Sequence, residues 1–229
     1  MDWHAGYFSP DEHYEATVAK LVTEETDWLD VGCGRDLFPT NKRLAEALSQ
    51  RCRRLVGLDP DATLDDNPFV HERVRGTLDT YRTDQTFSVI TLRMVAEHIA
   101  DPAACLDRLA QLTRPGGVVV IYTINRWSPL PILTKLIPFA LHHPIKKFLW
   151  RTEEADTFPV VYKMNTRRTL RGLLDGAGFD EQSFSYLSDC RTLYRFRMGH
   201  FAELSAWRAL KRLGLQYPEQ CLLGVYSRR

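Results

Sequence analysis

The chain has 229 residues, 44% hydrophobic and 26% charged, and 30 Lys or Arg against 29 Asp or Glu leave a formal net charge of +1. That length suits one α/β domain with a sizeable core, and the near-neutral balance gives no whole-chain field for binding nucleic acid. Five scattered cysteines (Cys33, Cys52, Cys105, Cys190, Cys221) form no CxxC pair and no His/Cys ligand spacing, which argues against a zinc site or disulfide framework and for a reducing cytoplasm.

The opening "MDWHAGYFSPDEHYEA" has no apolar h-region, so no signal peptide is expected. A helix is expected over 10–23, with Ser9 as N-cap, Pro10 at N1 and Glu12 at N3. Residues 28–31 form a short apolar strand that runs into two glycines one residue apart, Gly32 and Gly34. A helix over 41–51 follows, with Leu44, Ala47 and Leu48 on one face. "RLVGLDP" is a second strand that ends in Asp59, "HERVRG" a short third and "FSVITLR" a fourth. Then come a helix over 102–112 with Leu106, Leu109 and Ala110 inward, a turn at "RPGG", and a fifth strand, "VVVIYTI". A helix over 166–177 closes at Gly178. "SFSYL" and "LLGVYS" are the last two strands, separated by a helix around 201–213.

Strands alternating with helices of this length imply βαβ crossovers. The expected fold is α/β: a Rossmann-like, doubly wound, mostly parallel seven-stranded sheet with a helical insertion after the fifth strand. Such sheets bind ligands at the carboxyl ends of their strands, where Gly32, Gly34 and Asp59 fall. Glycines let backbone N–H groups approach a ligand. A carboxylate ending the second strand can accept from two ribose hydroxyls. A dinucleotide fingerprint would need a third glycine at position 37, which is Leu37, and no P-loop is present.

"LDVGCGRD", "VGLDPD", "FSVITLRMVAEHIADP" and "LTRPGGVVVIYTIN", in this order and spacing, resemble the class I S-adenosylmethionine-dependent methyltransferases. The resemblance covers 28–125 well and continues more weakly through "NTRRTLRGLLDGAGF". It implies one methyltransferase domain over 1–229: an N-terminal cap region (1–27), a cofactor-binding core (28–125), an insertion or lid (126–165) and a C-terminal part (166–229). It places Asp30, Gly32, Cys33 and Gly34 around the methionine part of S-adenosyl-L-methionine, with Asp30 near the amino group. It makes Asp59 the ribose acid, sets Pro60 beside the adenine, and gives Thr77 and Leu78 to the adenine-contacting turn. The family often has Asp where Thr77 stands; here Thr77 or Asp79 takes that work, or nothing does. Arg93 and Met94 fall beside the methionine moiety. Asp36 stands where many members have a third small residue.

The implied reaction is an in-line displacement at the sulfonium methyl, in which alignment and water exclusion carry much of the catalysis. A hydroxyl acceptor would need a base. Of seven histidines, His98 in "AEHI" lies nearest the cofactor motifs and is the catalytic candidate, with local structural bonding as its other reading. Cys33 reads as a small turn residue, not a nucleophile. Residues 126–152 hold five Lys or Arg and no acid, many apolar residues, and prolines at 129, 131, 138 and 144. This segment is either a lid over the acceptor or a peripheral contact with anionic membrane. Trp3, Tyr7, Phe8 and Tyr14 could offer an aromatic face to the sulfonium, or belong to a helix that covers the sheet edge. "RTLYRFRMGH", 191–200, is an anion site or a solvated face. The leading function is a cytoplasmic methyltransferase acting on the oxygen of a sugar, natural-product or lipid-linked small molecule. A macromolecule-directed enzyme, or a cofactor-binding protein without transfer, is the alternative; no metal and no nucleic-acid partner is expected.

Overall fold

Seven strands share one sheet: β1 (Asp27–Val31), β2 (Arg54–Asp59), β3 (Glu72–Arg75), β4 (Phe87–Arg93), β5 (Thr113–Ile124), β6 (Phe179–Ser188) and β7 (Glu219–Arg228). Their order is β3-β2-β1-β4-β5-β7-β6. β1 to β5 are parallel, and β7 runs antiparallel to both β5 and β6. The chain steps outward from β1 to β3 and then restarts at β4 on the other side, so the switch point lies between β1 and β4. This is a computed structural model that describes residues 7–128, 159–191, 196–215 and 217–229.

Strand side chains alternate between two faces, and each face buries its own core. Leu29, Leu58, Ile90 and Ile121 meet Leu106 and Leu109 of α3 (Pro102–Leu112) and Leu170 and Leu174 of α4 (Arg167–Gly176). Trp28, Leu55, Val120 and Tyr122 meet Tyr14 and Val18 of α1 (Pro10–Leu21) and Leu48 of α2 (Lys42–Arg51). α1 starts at the expected capping box: Ser9 Oγ accepts from Glu12 N, and Glu12 Oε2 accepts from Ser9 N at 2.7 Å. It covers a sheet face rather than an edge.

Several expectations shift. In α2 the inward arc is Ala45, Leu48 and Ser49, at i, i+3 and i+4, and Ala47 is exposed. "RPGG" does not separate α3 from β5. Phe87 pairs with Thr113 and Val89 with Val118, so 114–117 bulge out of a strand already begun. Gly116 takes φ +72°, and a Cβ at Gly117 would lie 2.8 Å from Arg114 O. β6 starts four residues earlier than "SFSYL", because its alternate side chains face solvent at the sheet margin and carry no apolar signal. The last helix, α5 (Arg197–Arg212), starts a turn earlier than expected. Most of the 126–152 segment, and with it the lid and membrane readings, lies outside the described residues. The described chain on either side meets at the carboxyl end of β5, where Arg126 N donates to Asn165 O at 3.0 Å. Among the described residues no helix is long and apolar enough to cross a membrane.

Candidate active site

The carboxyl ends of β1, β2 and β4 meet at the switch point. Gly32 follows β1 with φ +71°, and a Cβ there would sit 2.3 Å from Val95 Cγ2. Gly34 has φ +47°. Both are left-handed conformations that favour glycine. Their N–H groups are already committed: Gly32 N donates to Leu58 O at 2.7 Å and Gly34 N to Asp59 Oδ2 at 2.8 Å. The glycines therefore supply close approach without Cβ rather than donors of their own. Cys33 points down and is buried; a Cβ at Gly57 would lie 2.7 Å from its Sγ. Burial pushes its thiol well above the ordinary value, so it is packing, not a nucleophile.

Asp59 ends β2. Oδ2 holds Gly34 N, and Oδ1 accepts from Asp61 N at 2.7 Å. The opposite wall of the turn is fixed by Asn67, fully buried, whose Nδ2 donates to Gly34 O at 2.9 Å. The sequence reading missed Asn67, although "DDNPF" carries a turn signal at Asn-Pro. Pro60 is exposed beside Asp59. After β3, Thr77 is exposed, and its hydroxyl lies 3.2 Å from that of Thr80 in a local turn; Asp79 is exposed too. Leu78 instead turns into the core beside Val31 and Leu58, so only its backbone remains for an adenine contact.

Asp30 lies on the same face of β1 as Trp28 and is 3% exposed. Its Oδ1 accepts from Thr91 Oγ1 at 2.5 Å, and Thr91 Oγ1 accepts from Trp28 Nε1 at 2.7 Å. Burial pushes the Asp30 carboxyl up to about 7, against the opposing pull of the Thr91 hydrogen bond and Arg93. Arg93 Nη2 donates to Asp11 Oδ1 at 3.0 Å, and Arg191 Nη1 donates to Asp11 Oδ2 at 2.7 Å. Arg93 therefore clamps α1 to the end of β4, and Arg191 ties the chain after β6 to the same acid. Burial raises Asp11, but the two guanidiniums outweigh it and hold it below the ordinary carboxylate range. Arg191 is thus neither an open anion site nor a solvated side chain. Tyr14 stacks on Tyr122 with centroids 5.3 Å apart and is buried, and Tyr7 packs edge-on against Trp207. Neither offers an open aromatic face; Phe8 is exposed, and Trp3 lies outside the described residues.

Met94 follows β4 with φ +53°, a strained state for a side-chain-bearing residue. Its N–H donates to Tyr122 O at 2.8 Å. The short 3₁₀ turn Ala96–His98 comes next. Glu97 is buried and accepts from Thr123 Oγ1 at 2.6 Å, and its carbonyl accepts from Val161 N at 2.8 Å. His98 Nδ1 lies 3.2 Å from Pro159 O. Asn165, also missed from sequence, donates to Thr123 Oγ1 at 2.7 Å and to Ile124 O at 2.9 Å. Residues 159–165 are thus fastened to the ends of β4 and β5. His71 and His200 make structural contacts elsewhere, to Leu55 N and Cys190 O respectively.

S-adenosylmethionine fits this donor set. Asp59 uses two of its roughly four lone-pair sites on the backbone and keeps the rest for vicinal hydroxyls. Asp30 holds a buried acid where an ammonium would be matched, and Gly34 has open space, its Cβ position coming no nearer than 4.0 Å to Asp59 Oδ2. Sheet order, glycine turn and strand-end acids together define a class I methyltransferase domain. The Methyltransferase domain family model matches residues 10–183, about three quarters of the sequence, and the chain belongs to that family of S-adenosylmethionine-dependent enzymes. The ubiquinone biosynthesis O-methyltransferase of Psychrobacter arcticus is 32% identical over 133 residues, which cover 53% of this chain and 48% of that protein. The chain spans about half the length of the curated relatives it matches. An S-adenosylmethionine-dependent methyltransferase from Mesorhizobium loti superposes with TM-score 0.59 at 15% identity, over 98% of this chain and 100% of that one. The N-methyltransferase NodS of Bradyrhizobium japonicum WM9, in complex with S-adenosyl-L-homocysteine, superposes with TM-score 0.54 at 14% identity, over 96% and 88%. At these identities the likeness is one of fold.

Proposed function

We propose that this chain methylates a hydroxyl oxygen of a small lipid-like molecule, a phenol with an apolar tail being the acceptor class. The observation that carries the reading is the convergence of Gly34, Asp59, Asp30 and Met94 at the ends of β1, β2 and β4, within a chain of this family. The O-methyl assignment and the acceptor class draw support from the relatives named for ubiquinone biosynthesis and from the apolar, acid-free composition of 126–152. When bound, S-adenosylmethionine supplies a methyl group activated on a sulfonium. Asp59 accepts from the ribose hydroxyls, Asp30 faces the ammonium, and the left-handed Met94 backbone shapes the wall between cofactor and acceptor. His98, whose Nδ1 lies 3.2 Å from Pro159 O, is the base proposed to take the phenol proton. Glu97 acts as a positioning residue: it joins that turn to β5 through Thr123 and to 161–162 through its carbonyl.

The experiment is transfer of labelled methyl to a panel of prenylated catechols, free sugars and unprenylated phenols. Labelled prenylated catechol is expected, with a His98→Gln loss of about 10²–10⁴ in kcat and unchanged affinity for S-adenosylhomocysteine. Label on sugars alone overturns the acceptor class; a His98→Gln rate equal to wild type removes the base.

A further inference from the structure

α5 is apolar on two opposite sides. Inward, Leu204 and Trp207 pack on Tyr7 and Cys190. Outward, Met198 (81% exposed), Phe201 (65%) and Leu213 (72%) form one row with the exposed Ala202, Ala206 and Ala209. The spacing is that of a single helical face. Isolated exposed apolar side chains are ordinary, but a continuous row marks a contact surface. Half of the ten large hydrophobics exposed among the described residues fall within 196–215.

The charges say what covers it. Arg208 and Arg212 border this row, and among the described residues neither pairs with a carboxylate; Lys211 is turned to the inward side, its Nζ 4.8 Å from the centre of the Trp207 ring. The one acid of the helix, Glu203, is turned inward and accepts from Tyr217 Oη at 3.0 Å. Asp189, just beyond, is held by Arg191 at 2.8 Å. A second copy of this helix would bring the same cations, and the chain's own 126–152 carries five Lys or Arg and no acid. Both are repelled. An anionic plane is not.

We infer that α5 is an interfacial helix that seats the protein on an anionic lipid surface, with Met198, Phe201 and Leu213 in the acyl boundary and Arg208 and Arg212 at the phosphates. Its place in the fold suits this. α5 follows the carboxyl end of β6 and leads into Glu219, whose carbonyl accepts from Asn125 Nδ2 at 3.0 Å beyond β5. The helix therefore lies on the same edge of the sheet as the glycine turn and Asp59, and docking brings the catalytic edge to the bilayer. This inference stands on α5 alone and not on the acceptor assigned above.

The test is flotation of the full chain with vesicles of phosphatidylcholine alone or mixed with phosphatidylglycerol. Binding to the mixed vesicles and not to the neutral ones is expected, weakening as salt rises. The double change Arg208→Gln, Arg212→Gln should lower partitioning on the order of 25-fold, about fivefold per cation. Phe201→Ser with Met198→Ser should lower it at least tenfold, with S-adenosylhomocysteine affinity and thermal midpoint unchanged because the residues are exposed. Absence of vesicle binding overturns the proposal. So does vesicle binding that both variants leave intact, which assigns the contact to another segment. A wild-type dimer in sedimentation that Phe201→Ser dissolves, or an acidic protein that needs this row while vesicles do not, overturns it as well.

Discussion

Asp30→Asn isolates one buried ionisation. The carboxyl is 3% exposed and pushed up to about 7 by burial, against roughly 3.9 in an unfolded chain. Because the folded value is the higher one, the native state holds a proton that the unfolded chain has already released. The stability this group contributes is complete below about pH 4, falls as pH rises, and is lost once pH passes about 7. At 1.36 kcal/mol per unit the whole swing is on the order of 4 kcal/mol, and the part between pH 5 and pH 8 is about 3 kcal/mol. Asparagine cannot ionise, yet its Oδ1 can still accept from Thr91 Oγ1. Urea unfolding of wild type and variant at matched pH cancels every other titrating group. The variant should gain on wild type by about 3 kcal/mol from pH 5 to pH 8, with the gap levelling near 7. Calorimetry with S-adenosylhomocysteine gives the other half. If Asp30 faces the ligand ammonium, wild-type affinity climbs with pH up to about 7 and the variant's does not. A stability gap that stays constant across that range would refute the reasoning, because the carboxyl would then not be titrating from a raised position.

Asp59→Ala removes the acceptor of Gly34 N and Asp61 N as well as the ribose acid; it should cost about 1–3 kcal/mol of stability and weaken S-adenosylhomocysteine binding at least tenfold by calorimetry. Gly32→Ala drives a Cβ into Val95 and strains the backbone, so cofactor binding should be lost; adding Val95→Ala should restore part of it by clearing the contact, and no restoration would put the whole cost on the positive φ. Asp11→Asn leaves Arg93 and Arg191 without their shared anion and should lower unfolding free energy by roughly 2–4 kcal/mol at pH 7. That difference should shrink in acid, since a carboxyl held below its ordinary range loses its stabilisation as pH falls through the folded value.

The parts of this site that local sequence reveals are those whose chemistry sits within a few residues. Gly32 and Gly34 follow β1 and Asp59 ends β2, and strand ends are readable from apolar runs. Thr91, Asn67 and Asp11 were not, because each acts across a long separation: Thr91 meets Asp30 only after β1 and β4 pair, and Asp11 meets Arg93 only after α1 crosses the sheet face. The directions of the Leu78, Tyr7 and Tyr14 side chains are not legible locally for the same reason. A side chain's direction out of a loop or helix depends on what packs beneath it. "RPGG" has the composition of a turn and becomes a bulge, because Thr113 had already found Phe87.

β7 lies between β5 and β6 yet is the last strand to be synthesised. Until β7 is in place, β5 and β6 have no neighbour on that side, and each presents a row of open backbone donors and acceptors. The nascent chain thus holds an assembled parallel half with a sticky margin. A stop or frameshift anywhere after β6 would release a polypeptide that carries every strand-end ligand-binding residue but is prone to pair with other chains along β5.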